Sequence, residues 1–309
     1  MRSTRYSRGA RTGTYATGAA ALVAAFLALA PPLAAQKPPA PQLPELLKAG
    51  GDYVATYATK VSGVTLEEQF MLIENSSGQM GIPRRIGSDV VIVNVGGEIT
   101  GLRDIYALDS KATRERSPRI TQVLAQPTPA NWQTAQRYAR ENAQFFQANV
   151  VLWFNDPTMA LQFIAGRNQA RSTFKLEGNK KMNGVQVYGV GFKETEAKGA
   201  KYLLAAAAEG NPRSSGRFWI DPATGGIHMT ELWIESETDS ARMQVKYAPD
   251  GKLSILLPLE ASHTFESREK GTGMNAMGTG NNMSRIAFQA DVRYTNARYT
   301  PIDLGRISR

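Results

Sequence analysis

The sequence contains no cysteine and only two histidines among its 309 residues. Without cysteine the chain forms no disulfide, so its stability must come from a packed core. A lipoprotein anchor is excluded too, because that modification needs a cysteine at the cleavage site. The two histidines, His228 and His263, do not stand at the spacing of a zinc site. Phosphate-loop, dinucleotide and Gly-x-Ser-x-Gly signatures are missing as well. The sequence therefore predicts no catalytic, cofactor-binding or metal-binding residues.

Long apolar runs are also missing, apart from a short one near the N terminus. Four arginines (Arg2, Arg5, Arg8 and Arg11) precede the apolar residues 19–30, and Pro-Pro-Leu-Ala-Ala follows them. This order predicts a Sec-type signal peptide over residues 1–35. A run of about a dozen residues is shorter than the roughly 20 that span a bilayer, although an uncleaved anchor stays an alternative. We expect a periplasmic or secreted protein whose leader engages the membrane only during export.

The basic charge belongs partly to this leader. The formal net charge is +9, and removing the four leader arginines leaves +5 on more than 250 residues. This excess is mild and unclustered, unlike the footprint of a nucleic-acid-binding protein. Export also argues against such a partner. We therefore predict no nucleic-acid partner.

Beyond the leader, the pattern predicts a Pro-rich tether at residues 36–44 and a single α+β domain over residues 45–309. Helical spacing or capping signals mark residues 44–61, 131–146 and 156–165. Alternating or β-branched runs predict about ten strands, namely residues 64–73, 89–95, 99–108, 185–192, 201–208, 217–220, 227–235, 242–247, 253–265 and 285–294. We expect a large, curved antiparallel sheet, a half-barrel, whose concave face is covered by the few helices.

Three further features allow more than one interpretation. The glycine-rich loop 271–283 carries Met274, Met277 and Met283, which are thioether ligands suited to Cu(I) or simply residues of a hairpin tip. The charged segment 103–119 is a docking surface or a solvated loop with ion pairs. Small residues on the sheet faces, namely Gly189, Gly191 and residues 205–208, leave a ligand cavity or are covered by the helices.

A resemblance to a known family rests on the second half of the chain. Residues 216–226 read Gly-Arg-Phe-Trp-Ile-Asp-Pro-Ala-Thr-Gly-Gly, and alternating strands, a Pro-Asp-Gly turn and Leu256-Leu257-Pro258 follow. This pattern resembles the LolA-like superfamily of periplasmic lipoprotein carriers and lipid-sensing regulators, here through an exported family of environmental bacteria. The resemblance implies a half-barrel closed by helices and, in some members, a hydrophobic cavity for acyl chains. It supplies no catalytic residues.

These observations predict an exported, non-enzymatic protein that binds a lipid or another hydrophobic ligand. The alternative is an envelope protein that binds a protein or polysaccharide partner through its surface. A hydrolase with spatially assembled residues stays a third possibility, and it requires His228 or His263 beside a carboxylate and a serine.

Overall fold

The computed structural model describes residues 40–76, 79–142, 156–195, 212–236, 239–269 and 284–305. The predicted signal peptide, residues 36–39 of the predicted tether, the strand at 201–208 and the methionine-bearing loop 271–283 lie outside the described residues. Among the described residues, no helix has the length and apolar character needed to cross a membrane.

The predicted antiparallel sheet is confirmed, and it is open. Its order is β5-β4-β3-β1-β12-β11-β10-β9-β8-β7-β6, with β2 paired to β1 beside this path. The first and last strands of the chain therefore lie side by side at its centre. The strands are β1 Val64–Ser76, β2 Gln79–Met80, β3 Arg84–Val95, β4 Glu98–Leu108, β5 Lys111–Ala112, β6 Ser172–Met182, β7 Val185–Glu194, β8 Arg213–Ile220, β9 Ile227–Glu235, β10 Asp239–Asp250, β11 Ile255–Glu269 and β12 Ser284–Tyr299.

The sheet curves around one helix, α1, which spans Leu43–Val61. This helix contacts both β3 and β6, which are eight strand positions apart in the sheet. In a flat sheet these strands would be separated by about 38 Å at about 4.8 Å per strand. A helix about 10 Å wide reaches both strands only if the sheet bends around it. The fold is thus an α+β half-barrel, and we call the face toward α1 the inner face.

The inner face carries the main apolar core. Leu66, Phe70 and Leu72 of β1 are buried there with Val54 and Tyr57 of α1. In the second half of the chain the core is aromatic: the rings of Phe163, Phe192 and Phe218 stack with successive centroid distances of 4.9 Å. Phe265 and Phe288 stack at 5.1 Å. Stacked rings of this kind fill the inner space with apolar volume.

Two helices cover the opposite, outer face at one end of the sheet, which corrects our expectation. These are α2, Arg119–Leu124, and α3, Pro129–Glu141. The helix predicted at 131–146 was expected on the concave face, but Trp132 and Ala135 pack on Val91 and Val93, which face outward. The β-branched run of β3 is therefore buried on both faces, as its sequence predicts.

The helix predicted at residues 156–165 is wrong in its first half. The segment begins with turns, and α4 spans only Leu161–Ile164 before a 3₁₀ helix at Gly166–Arg171. The Asp156 carboxylate accepts hydrogen bonds from the backbone N–H and hydroxyl of Thr158, at 2.8 and 2.6 Å. This side chain competes with helical hydrogen bonding, so the residue chosen as a helix cap makes a turn instead.

Side chains also occupy the free edge of β4, which pairs with β5 only at its end. The Asp156 carboxylate accepts the Gly101 N–H at 2.7 Å. The buried Asn142 amide accepts the Ile105 N–H at 3.1 Å and donates to the Arg103 carbonyl at 2.6 Å. These contacts satisfy backbone groups that a neighbouring strand would otherwise pair.

The turn that carries the family resemblance supports α1. Asp221 accepts hydrogen bonds from the Ala223 N–H and the Thr224 hydroxyl. Gly225 has φ +71°, and a Cβ atom there would lie 2.2 Å from the Ala49 carbonyl oxygen of α1. Only glycine fits this close approach, so part of the short motif is structural.

Candidate functional site

A buried polar cluster lies within the apolar inner face. Arg103 Nε and Nη2 donate to the two carboxylate oxygens of Glu68 at 2.5 and 2.6 Å. Ser88 donates to the same carboxylate at 2.5 Å. Burial, with the Glu68 charge adding to it, raises the pKa of the neighbouring Tyr294. This bidentate pair compensates both charges, so it serves the packing of the interior.

His263 lies near this pair without joining it. Its ring stacks on Phe70 at 5.8 Å, and the residue is 1% exposed. Neither ring nitrogen has a hydrogen-bond partner in the part of the chain that the structure describes. Burial, followed by the positive charge of Arg103, lowers the pKa of His263 to about 3. The imidazole is therefore neutral at physiological pH.

His228 has a different environment, beside the turn at Asp221. Its Nδ1 lies 3.4 Å from the amide nitrogen of Asn183. Burial lowers its pKa, and the Asp221 charge opposes this shift. Across residues 40–305, as far as they are described, neither histidine makes a hydrogen bond to a carboxylate or serine, and no three His, Asp or Glu side chains group around a metal position. The described contacts thus do not assemble the acid–base arrangement that a hydrolase requires.

Apart from Arg103, which pairs with Glu68 on the inner face, the charged segment 103–119 forms ion pairs on the outer face. Asp104, 2% exposed, pairs with Arg114 at 2.5 Å and with Arg119 at 2.9 Å. Arg116 pairs with Asp89 at 2.9 Å and with Glu67 at 3.1 Å. The acidic partners are thus largely buried, and the segment covers the sheet more closely than a solvated loop would.

The small residues of β7 do not open an inner cavity. Gly189 and Gly191 face outward, where Trp219 and the Glu177 carboxylate lie directly over them. A Cβ atom on Gly191 would lie 2.6 Å from that carboxylate. Glycine here makes room for side chains that cross the strand, because Glu177 pairs with Arg217 at 2.6 Å.

The larger of two described cavities is a groove of about 880 Å³ on the outer face. It runs from β4 across β3, β1, β12 and β11 to β10, and most of its lining side chains point away from α1. Five strand spacings of about 4.8 Å give it a length of about 24 Å. We call it the outer groove. Its volume is typical of a small-molecule site.

Short side chains form the floor of the outer groove, and long ones form its ends. Gly87 has no side chain, and the Tyr106 ring lies against it at one end. Arg116 stacks on Tyr106 at 4.2 Å from the ring centroid and holds it in place. At the other end Lys246 pairs with Glu260 at 3.3 Å. Between them Met71, 42% exposed, offers an apolar surface.

Two arginines stand on either side of β1 within the outer groove. Arg85 of β3 lies opposite Met71, and Arg293 of β12 lies opposite Gln69. Both are exposed, and neither forms an ion pair with any residue that the structure describes. By contrast, the nearby Lys246 and Arg116 are already paired with carboxylates.

A second cavity, of about 700 Å³, lies beside α1. Small residues of the helix, including Gly51 and Ala55, face the β3–β4 turn at Gly97 and the 3₁₀ helix at Arg167. Arg167 donates to the Gly96 carbonyl at 3.1 Å and so connects two of these elements. Both described cavities therefore lie outside the aromatic interior.

Sequence reasoning missed the outer groove. The strand predicted at residues 285–294 contains Asp291 and Arg293, but its sequence does not indicate that it pairs with β1. A sheet register joins residues more than 200 positions apart, such as Met71 with Asp291. One signal in the sequence could have indicated an apolar site on the outer face: Met71 stands on the face of its strand that otherwise carries mostly polar residues.

Comparison with known proteins gives only distant structural similarities. No family model matches the chain, and no curated protein matches it. The chain is similar to a putative outer membrane lipoprotein-sorting protein domain from Vibrio parahaemolyticus, with 11% identity, 82% of this chain and 93% of that chain covered, and a TM-score of 0.35. It is also similar to a LolA superfamily protein from Nitrosomonas europaea, with 10% identity, 82% and 94% covered, and a TM-score of 0.33. A DUF1329 family protein from Desulfovibrio piger gives 10% identity, 82% and 92% covered, and a TM-score of 0.33.

The solved structures to which this chain is similar thus include a protein of the LolA superfamily, the family whose sequence pattern residues 216–226 resemble. Similarities of this size decide neither a ligand nor an activity. The function must be argued from the outer groove itself.

Proposed function

We propose that the protein is an exported, non-enzymatic binding protein that takes a hydrophobic or amphiphilic ligand, such as a lipid, into the outer groove. The observation that carries this proposal is the groove of about 880 Å³, which combines Met71 and Tyr106 with a few charged groups. Ligand sites typically have this size and this mixture of apolar lining with a small number of polar groups. The signal peptide predicted at residues 1–35 supports a role in the periplasm or outside the cell.

The interior supports the same choice of site. An acyl chain on the inner face would have to displace the stacked rings of Phe192 and Phe218, which are 4% and 0% exposed. The outer groove needs no such rearrangement, because Met71 and Ser262 in its lining are already exposed.

Substitution of Ser262 by tryptophan tests the proposal. Ser262 is exposed on β11 and lines the outer groove, so the indole should fill the groove without disturbing the core. We expect Ser262→Trp to weaken binding of dodecyl maltoside about tenfold or more, a loss of about 1.4 kcal/mol, measured by isothermal titration calorimetry.

The matched control is Thr264→Trp, which places the same side chain two residues along the same strand and face, outside the groove lining. It should bind like the wild type. Equal binding by Ser262→Trp and the wild type, or no binding of the detergent by the wild type, contradicts the proposal. Native mass spectrometry of the purified protein adds a direct check for a co-purifying lipid.

A macromolecular partner is the alternative outcome of these tests. The β4 edge is occupied by Asn142 and Asp156, and the opposite edge strand β6 carries a bulge, Gly178 at φ +72° and lysines at 175, 180 and 181. Bulges and lysines oppose strand addition. A partner would therefore dock on the outer face instead of extending the sheet.

A further inference from the structure

We infer that the outer groove selects an amphiphile with an acidic headgroup, a phosphate or a carboxylate, through Arg85 and Arg293. This inference rests on the proposed function and adds the chemical class of the ligand. In the inner core that the structure describes, the buried Arg103 is already bound to Glu68 and is not available to a ligand.

The first argument is the position of the two arginines. Arg85 lies opposite Met71, and Arg293 lies opposite Gln69. The two arginines therefore lie on opposite sides of β1, at positions offset by two residues along the strand. Two strand spacings and two residues along the strand separate their Cα atoms by about 12 Å. Side chains of this length can converge over β1 from both sides. Gln69 and Met71 of β1 lie between the two arginines, and Gly87 adds no side chain of its own on the β3 side.

The second argument is charge. The basic neighbours of the groove are already neutralised, Lys246 by Glu260 and Arg116 by Asp89. Arg85 and Arg293 have no such partner within 4.0 Å among the described residues. Guanidinium groups bind phosphate and carboxylate through paired, charge-assisted hydrogen bonds. An acidic headgroup would complete both.

The third argument is that an apolar surface lies next to the pair. Met71 stands between Arg85 and Asp291 in the sheet register, and its side chain is 42% exposed. A ligand held by the two arginines would lay its chain along Met71 and toward Tyr106. Two acidic side chains of the groove lie beside Arg293: Asp291 on the same strand face, and Glu260 directly opposite on β11, where it pairs with Lys246. Both oppose an anionic ligand, and among the described residues Asp291 has no such pairing with a base in the groove lining.

Matched dodecyl ligands test the inference by isothermal titration calorimetry on the full protein. Dodecyl phosphate and dodecanoate should bind at least about tenfold more tightly than dodecyl maltoside, and dodecyltrimethylammonium should bind more weakly still. The ratio of the dissociation constants for dodecyl phosphate and dodecanoate shows whether the site prefers a phosphate or a carboxylate headgroup. Inorganic phosphate alone should bind far more weakly than dodecyl phosphate, since the chain contact is then missing.

Variants separate the two arginines from general charge. Arg85→Gln and Arg293→Gln should each weaken dodecyl phosphate binding about tenfold, and should weaken it more than they weaken dodecyl maltoside binding. Arg242→Gln removes an exposed arginine of the same face outside the groove and should change neither. Asp291→Asn should strengthen dodecyl phosphate binding.

Failure of this inference differs from failure of the proposed function. If all four dodecyl ligands bind with equal affinity and Ser262→Trp weakens their binding, the preference for an acidic headgroup is overturned. The groove then remains the binding site. Equal effects of Arg242→Gln and Arg85→Gln overturn the role of the arginine pair. If inorganic phosphate binds as tightly as dodecyl phosphate, the apolar chain contributes nothing, and the inference that the ligand is an amphiphile is overturned.

Discussion

At the scale of single residues, His263 shows how burial fixes a protonation state. A lone histidine on an apolar strand face predicts a packed, hydrogen-bonded side chain, and the structure confirms only the packing. Both ring nitrogens lack partners among the described residues. A buried polar group without a hydrogen bond costs about 1–3 kcal/mol.

The pH dependence of stability follows from this residue. Its folded-state pKa of about 3 lies below the ordinary 6.5 because of burial and, second, Arg103. The unfolded state therefore binds a proton first as the pH falls. Stability is fully present above about pH 6.5 and is lost between there and about pH 3, by about 1.4 kcal/mol per pH unit.

His263→Phe should remove this slope. Urea unfolding between about pH 6 and pH 4 should show wild-type stability falling about 1.4 kcal/mol per unit more steeply than that of the variant. The ring can still stack on Phe70. His228→Gln is the comparison, with a smaller effect because Asp221 opposes its shift. Parallel curves for His263→Phe and the wild type would show that His263 does not titrate on unfolding.

At the scale of elements, local pattern predicted strands better than the places where helices pack. The β-branched run at 89–95 predicts a strand buried on both faces, and the alternation of 64–73 predicts a strand buried on one. The side of the sheet that α3 covers was not predictable, because the Trp132 face of that helix fits either apolar surface of β3. The helix predicted at residues 156–165 starts too early because Asp156 signals a helix cap and a turn equally well.

The β4 edge gives a prediction at this scale. Asn142→Ala removes an acceptor for the Ile105 N–H and a donor to the Arg103 carbonyl in a site that is 2% exposed. We expect a loss of about 2–3 kcal/mol in urea unfolding and faster amide exchange at Ile105.

Gln133→Ala is the matched control, since Gln133 is exposed on the same helix. It should change stability by less than about 0.5 kcal/mol. Unchanged exchange at Ile105 in Asn142→Ala would mean that water replaces the amide without cost.

At the scale of the whole molecule, stability and the proposed binding lie on opposite faces of one sheet. The sequence predicted the half-barrel and its apolar inner face, but it left open whether that face encloses a cavity. The sequence does not show how much of the inner space the side chains fill. The three stacked phenylalanines come from three separate segments, and only the folded structure brings them together.

Phe218→Ala tests this separation. Phe218 is fully buried, so the cavity should cost about 3–5 kcal/mol in urea unfolding. Affinity for dodecyl maltoside at a temperature where the variant is folded should stay within about twofold of wild type. The complementary Ser262→Trp should lose affinity and keep stability. A large affinity change in Phe218→Ala would place the ligand on the inner face.

The side chains on the β4 edge have a consequence for how copies of the protein meet one another. At high protein concentration, an open sheet edge is the usual starting point for fibril growth between identical copies. Here Asn142 and Asp156 already hold the backbone groups that a second copy would need. The side chains of each copy thus block strand addition at its own β4 edge. A substitution that removes these hydrogen bonds should cause a concentration-dependent loss of monomer.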